Sequence, residues 1–145
     1  YEVVKDREHF ILSRLAKEKG EAVVREGQEE VTAPIGLHIN EKAFSGMENI
    51  SRDPSVADFD SDKISFPLYV RLWKEGDEFC PLGMGGKMKL VSSLLSDQKV
   101  PLTKKKRVYV LTDSSGKVIW VIGFRMDERV KLEPRSRRVL RISSI

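Results

Sequence analysis

Apolar and polar residues alternate with a period of two along much of this chain, the spacing that sends one face of a strand into a core and the other into water. On that pattern strands are expected at Tyr1–Val4, His9–Leu12, Ala22–Arg25, Val31–Ile39, Leu68–Trp73, Val108–Thr112, Val118–Gly123 and Val139–Ile142. The run from Glu8 to Lys19 contains no Gly or Pro, and Ile11, Leu12, Leu15 and Ala16 fit the start of a helix equally well. Met88, Val91, Leu94 and Leu95 recur at helical spacing, which predicts a helix over about Met88–Asp97, opening near Lys87 and closed off before Pro101. Asp113-Ser-Ser-Gly-Lys117 between two β-branched runs is the strongest hairpin signal. Ser45 to Lys63 is polar, with Asp53, Asp58, Asp60 and Asp62 around Pro54, and reads as a solvated connector. Strands following strands, with one or two helices, predict an α+β domain dominated by antiparallel β-structure.

The segment from Phe66 to Lys89, FPLYVRLWKEGDEFCPLGMGGKMK, departs from simple alternation. Gly83, Gly85 and Gly86 allow the backbone to approach a ligand without a Cβ in the way. Successive free amides can then form a concavity for an anion, and Lys87 and Lys89 add charge beside it. The expected helix would aim its positive end at the same place. The competing reading is an ordinary strand-to-helix connector with solvated lysines. Gly83-Met84-Gly85-Gly86 also matches the letters of the GXXG loop that clamps RNA backbone, but such a loop joins two helices and this one follows a strand. A nucleotide P-loop is a poorer fit, because Met88 stands after Gly86-Lys87 where Ser or Thr would hold Mg²⁺.

A length of 145 residues suits one domain with its own core. No apolar run approaches the roughly 18 residues that span a bilayer. YEVVKDRE is not a signal peptide, and a start at Tyr1 reads as a piece of a longer protein. Cys80, the single cysteine, fits a reducing cytoplasm and reads as a small buried hydrophobe beside Phe79 and Pro81, not as a nucleophile. His9 and His38 are far apart in the sequence, and the spaced aspartates lack the Gly and Glu of a calcium loop, so no metal is assigned.

Charge divides the chain. Residues 1–64 carry 9 Lys+Arg against 14 Asp+Glu, a net −5, whereas residues 65–145 carry 17 against 8, a net +9. The second half therefore favours a polyanionic partner. Lys104, Lys105, Lys106 and Arg107 form a basic block before a hydrophobic strand, either as phosphate contacts or as gatekeepers against aggregation. Arg135, Arg137 and Arg138 read as solvated charge unless the fold brings them beside Lys87 and Lys89. Trp73 and Trp120 lie in alternating runs and are expected in the core. Asp127, Glu128 and Arg129 lack a neighbouring nucleophile, so they are expected to form structural pairs, with Arg125 or with the glycine turn.

The series PLYVRLWKEGDEFCPLGMGGKMKLVSSLLSDQKVP, RVYVLTDSSGKVIWVIGFRMDERVKL and RVLRIS resembles the C-terminal domain of bacterial tRNA(Ile)-lysidine synthetase. The likeness runs from about Ala57 to Ser143, with residues 1–56 as a less recognisable leading part of a single domain over 1–145; Met88 and Val91 stand where the family would carry Lys or Ser. The resemblance implies a sandwich-like fold related to a domain of the phenylalanyl-tRNA synthetase β subunit. It also implies a parent enzyme that uses ATP and Mg²⁺, in a domain absent from this chain, to adenylate the wobble cytidine of a tRNA(Ile) with a CAU anticodon. Lysine then displaces AMP to give lysidine. The ATP signature S-G-G-x-D-S does not occur here, so the segment is expected to do no chemistry alone.

The resulting expectation is a cytoplasmic tRNA-holding domain that grips the acceptor stem, with Arg71, Lys74, Gly83, Gly85, Gly86, Lys87, Lys89, Lys104, Lys105, Lys106 and Arg107 as the contact residues. Its partners would be tRNA(Ile) and the catalytic domain. The alternative is a structural domain that docks on that catalytic half or supports a homodimer, for which the acidic half would supply the complementary charge.

Overall fold

The computed structural model describes residues 20–145. The expected strands Tyr1–Val4 and His9–Leu12, the helical alternative there and His9 lie outside the described residues.

Alternation produces two antiparallel sheets that face each other. In chain order the strands are β1 (Ala22–Val24), β2 (Glu30–Val31), β3 (Leu37–Ala43), β4 (Val56–Asp60), β5 (Leu68–Leu72), β6 (Glu78–Phe79), β7 (Lys89–Leu90), β8 (Tyr109–Thr112), β9 (Val118–Val121), β10 (Arg125–Met126) and β11 (Arg138–Ser144). One sheet has the order β1-β5-β8-β9-β10 and the other β2-β3-β11-β4, while β6 and β7 pair separately. Between the two larger sheets, Val24, Val70, Leu111, Ile119 and Trp120 meet Leu37, Ile39, Phe59, Leu140 and Ile142 in one core. Trp120 and Phe59 meet edge to face, with centroids 6.3 Å apart. Burying side chains of this size contributes roughly 1.5–3 kcal/mol each.

A third layer covers the outer face of the five-stranded sheet. Helix α1 (Val91–Asp97) buries Val91, Leu94 and Leu95 against Phe79, Val108, Val110, Val118 and Val121. This sheet is covered on both faces, so all four residues of β9 are buried and the strand reads as a continuous apolar run. The register between β8 and β9 slips at Leu111/Thr112, pairing Leu111 with Trp120 and Thr112 with Val118. Ile119 is the additional residue, and the resulting bulge lets both Ile119 and Trp120 face the inner core.

The α+β sandwich agrees with the sequence, as do the β8–β9 hairpin and the burial of Cys80 and Trp120. Asp113 closes that hairpin, its Oδ1 accepting from the Ser115 amide and the Lys117 amide, each at 3.0 Å. Three expectations change. The run Val31–Ile39 is two strands, because Pro34 and Gly36 interrupt it, and the second continues to Ala43. The connector assigned to Ser45–Lys63 contains β4, which pairs along β11. Its Asp58 is buried because Arg141 donates to it at 2.7 and 2.9 Å and the Ser51 amide at 2.7 Å; Asp60 is buried against the Ser136 hydroxyl at 2.7 Å. Finally, the helix does not open at Lys87: Lys89–Leu90 is drawn into a ladder with Glu78–Phe79, and Met88 stays exposed.

Candidate nucleic-acid interface

The glycine turn stands out from the sandwich on a fixed base. Its first residues are bound to the segment after β10: the Cys80 amide donates to Asp127 Oδ2 at 2.8 Å, the Leu82 amide to the Met126 carbonyl at 3.0 Å, and the Gly83 amide to Glu128 Oε1 at 3.0 Å. Asp127 is fully buried and also accepts the Arg129 guanidinium at 2.8 and 3.0 Å. Hydrogen bonds from Lys131, then from the Gly83 amide, hold the Glu128 carboxyl below the ordinary glutamate range. Glu128 therefore joins the glycine turn, one of the two pairings expected from the sequence, whereas Asp127 holds Cys80 ahead of the turn and pairs with Arg129.

Past this anchor the turn is open. Gly83, Gly85, Gly86 and Lys87 are exposed, and the amides of Gly85 and Gly86 meet no acceptor among the described residues, whereas Lys87 closes the turn back towards Met84. Gly85 and Gly86 have φ of 70° and 82°, a left-handed backbone that side chains disfavour. The expected helix dipole does not contribute here, since β7 intervenes and the Val91 amide donates to the Asp77 carbonyl at 2.9 Å. What the turn could offer an anion is thus amides and lysine, with the Gly83 amide already serving Glu128.

The cations divide into engaged and exposed groups. Arg71 meets Asp77 fork to fork, Nη1 to Oδ2 and Nη2 to Oδ1 both at 2.9 Å. Burial of Asp77 would by itself raise its pKa, but the Arg71 guanidinium and the Lys74 amide at 2.8 Å hold it below the usual carboxylate range. Lys89 is bound to Asp97 at the end of α1, and next to it Lys105 Nζ reaches Ser96 Oγ at 3.5 Å. Helix α2 (Leu102–Lys105), opened by Pro101, carries Lys104 and Lys105 in its last turn, where the dipole favours cations. Trp73 Nε1 donates to the Lys105 carbonyl at 2.6 Å and ties α2 to the end of β5.

A hollow of about 450 Å³ results, lined by Lys74, Lys105 and Lys106 together with Trp73, Ser92 and Ser96. The fold thus groups Lys74, Lys89, Lys105 and Lys106 around α1, with Lys104 and Arg107 exposed alongside in the chain and Lys87 on the glycine turn. Arg137 and Arg138 approach Asp62 and Glu41, whereas Arg135 lines a hollow that also contains Gly83. Asp97 was not identified from the sequence as the partner of Lys89. Both lie within the segment expected to be helical, at a spacing of eight residues, and only the strand at Lys89–Leu90 lets them meet.

Known proteins resemble this chain in sequence and in fold. Residues 68–143 match the family described as the TilS substrate C-terminal domain. The tRNA(Ile)-lysidine synthases of Parabacteroides distasonis and Bacteroides thetaiotaomicron are each 33% identical to the chain over 97% of its length. The chain spans only 32% and 30% of those relatives. A crystal structure of a TILS C-terminal domain superposes with a TM-score of 0.66 at 19% identity, covering 86% of this chain and 98% of that one. An N-terminal fragment of the phenylalanyl-tRNA synthetase β-subunit from Pyrococcus horikoshii gives 0.52 at 20% identity, covering 61% of this chain and 27% of the fragment. These two structures share the fold. The profile and the full-length likeness together place the chain in the tRNA(Ile)-lysidine synthase family, as its C-terminal domain.

Proposed function

We propose that this domain holds the tRNA substrate of a tRNA(Ile)-lysidine synthase, gripping the acceptor stem through its phosphates, and performs no chemistry itself. The observation that carries this reading is the anchored glycine turn with open amides at Gly85 and Gly86 and the exposed Lys87 side chain beside them, in the half of the chain whose net charge is +9. Amides and ammonium groups recognise phosphate without reading sequence, which suits a grip that positions a distant anticodon. Lys74, Lys105 and Lys106 extend the cationic surface. The reaction at the wobble cytidine, with its ATP and Mg²⁺, then falls to the remainder of the enzyme in the cytoplasm.

Binding of this chain to intact tRNA(Ile), compared with a stem-loop lacking the acceptor arm, tests the proposal. Tighter binding of the intact molecule is expected; equal affinity for the two removes the acceptor-stem grip. A second reading, docking on the catalytic part or on another copy, is favoured by Leu72, Leu90 and Leu102, which are 44%, 40% and 71% exposed beside the lysines. Self-association in sedimentation with no shift on adding tRNA would select it.

A further inference from the structure

Two hollows, of about 650 and 720 Å³, adjoin at Ile50, Leu82, Gly83 and Met126 and so form one groove along the base of the glycine turn. Its lining is mainly apolar, with Met47, Leu132 and Pro134 extending one end and Phe124 the other. Charge at the groove is unequal. Three of its carboxylates are paired with cations within the fold, Asp58 with Arg141, Glu128 with Lys131 and Glu133 with Lys63 at 3.3 Å, and Asp53 alone keeps its charge, accepting from the Ser55 hydroxyl and amide. Arg135 at one end and Arg52 at the other are exposed, and neither side chain has a partner among the described residues. Arg125 lines the same hollow as Arg52 and reaches only the Leu82 carbonyl, at 3.4 Å.

An apolar floor flanked by unanswered guanidinium groups suits a chain of alternating flat bases and phosphates. Base faces are available only where nucleotides are unpaired, because a duplex hides them in its own stack. We propose that this groove takes unpaired nucleotides, at an end or bulge of the RNA whose duplex part lies on the glycine turn and lysines. Bases rest on the floor around Leu82 and Met126, and phosphates are met by Arg52 and Arg135. The inference rests on the RNA-binding reading above and adds the class of nucleotide and its location.

Fluorescence anisotropy with this chain tests it, using a blunt RNA duplex and the same duplex with a short single-stranded overhang at its 3′ or 5′ end. One overhanging duplex is expected to bind about tenfold tighter than the blunt one. The double variant Arg52→Ala/Arg135→Ala, at two exposed and unpaired positions, and Met47→Glu, which puts a carboxylate on the rim at an exposed site, are expected to lose that margin while keeping the affinity for the blunt duplex. Equal affinity for blunt and overhanging duplexes in the unmodified chain overturns the inference and leaves the groove to a protein segment. A margin that survives both substitutions also overturns it. If no RNA binds at all, the failure lies with the RNA-binding reading itself.

Discussion

The Glu128 carboxylate accepts the Gly83 amide at 3.0 Å across 45 positions of sequence, and through it the short 3-10 turn Glu128–Val130 holds the first residue of the glycine turn. A fixed base and an open tip are thereby separated at one hydrogen bond. Replacing Glu128 with Ala removes it, and a lost bond of about 1 kcal/mol corresponds to roughly fivefold faster hydrogen exchange at the Gly83 amide, read by NMR. Unchanged exchange would mean that the backbone alone sets the turn.

Acidification acts on the same bond with a defined sign. Glu128 has its pKa depressed below the ordinary 4.5 by the Lys131 hydrogen bond and the Gly83 amide. Its contribution is fully present above that ordinary value and is lost as pH falls through the lower folded-state value. Gly83 protection is therefore expected to hold at neutral pH and to fall only below about pH 4.5. Loss of protection nearer pH 6 would assign the titration to another group.

Arg71 and Asp77 illustrate a cation whose role is internal. Asp77 is 8% exposed and is gripped by both arms of Arg71 and by the Lys74 amide. Arg71→Ala leaves that carboxylate with too few donors, and an expected loss of about 2 kcal/mol should be visible in urea unfolding. Arg71→Lys should recover only part of it, since an ammonium group cannot reproduce the two-pronged contact. A stability change below about 0.5 kcal/mol would place the pair among the weak surface bridges.

Legibility in the sequence followed the range of the interactions. The β8–β9 hairpin was readable because Asp113, Ser115, Gly116 and Lys117 bond to one another within five residues. The glycine turn was readable as an exposed bend for the same local reason. Strand β4 was not, because its aspartates look like loop residues until Arg141, 83 positions away, is brought against Asp58. The two-residue strands β6 and β7 exist only as each other's partners, and their pairing redirected Lys89 from a helix start to Asp97. Which lysines stay open was thus decided by contacts that no local pattern records.

That division gives a graded expectation for RNA binding. Lys87 is exposed on the open turn, whereas Lys89 is only 23% exposed and already bound to Asp97. Lys87→Ala should lower tRNA affinity and reduce the slope of log affinity against log salt by about one unit. Lys89→Ala should change the slope by clearly less, since a phosphate must first displace a carboxylate to use that charge. Titrations across a range of salt concentrations separate the two. Equal slopes for both variants would show that the Lys89–Asp97 pair opens on binding, and no change in either would remove the glycine turn from the interface.

The conformation of the tip is tested by changing backbone preference without filling space. Gly85 and Gly86 both have positive φ, and a Cβ built on either meets nothing within 4 Å, so any cost of adding one is conformational and not steric. Each Ala substitution is expected to cost about 1 kcal/mol in stability if the left-handed backbone persists. If the turn instead relaxes to a negative φ, stability is nearly retained but the open amides of Gly85 and Gly86 are turned to a new direction, and tRNA binding falls. Thermal unfolding and tRNA binding measured on the same variants distinguish these outcomes, and a turn that relaxes with no loss of affinity would be shown to serve only as a connector.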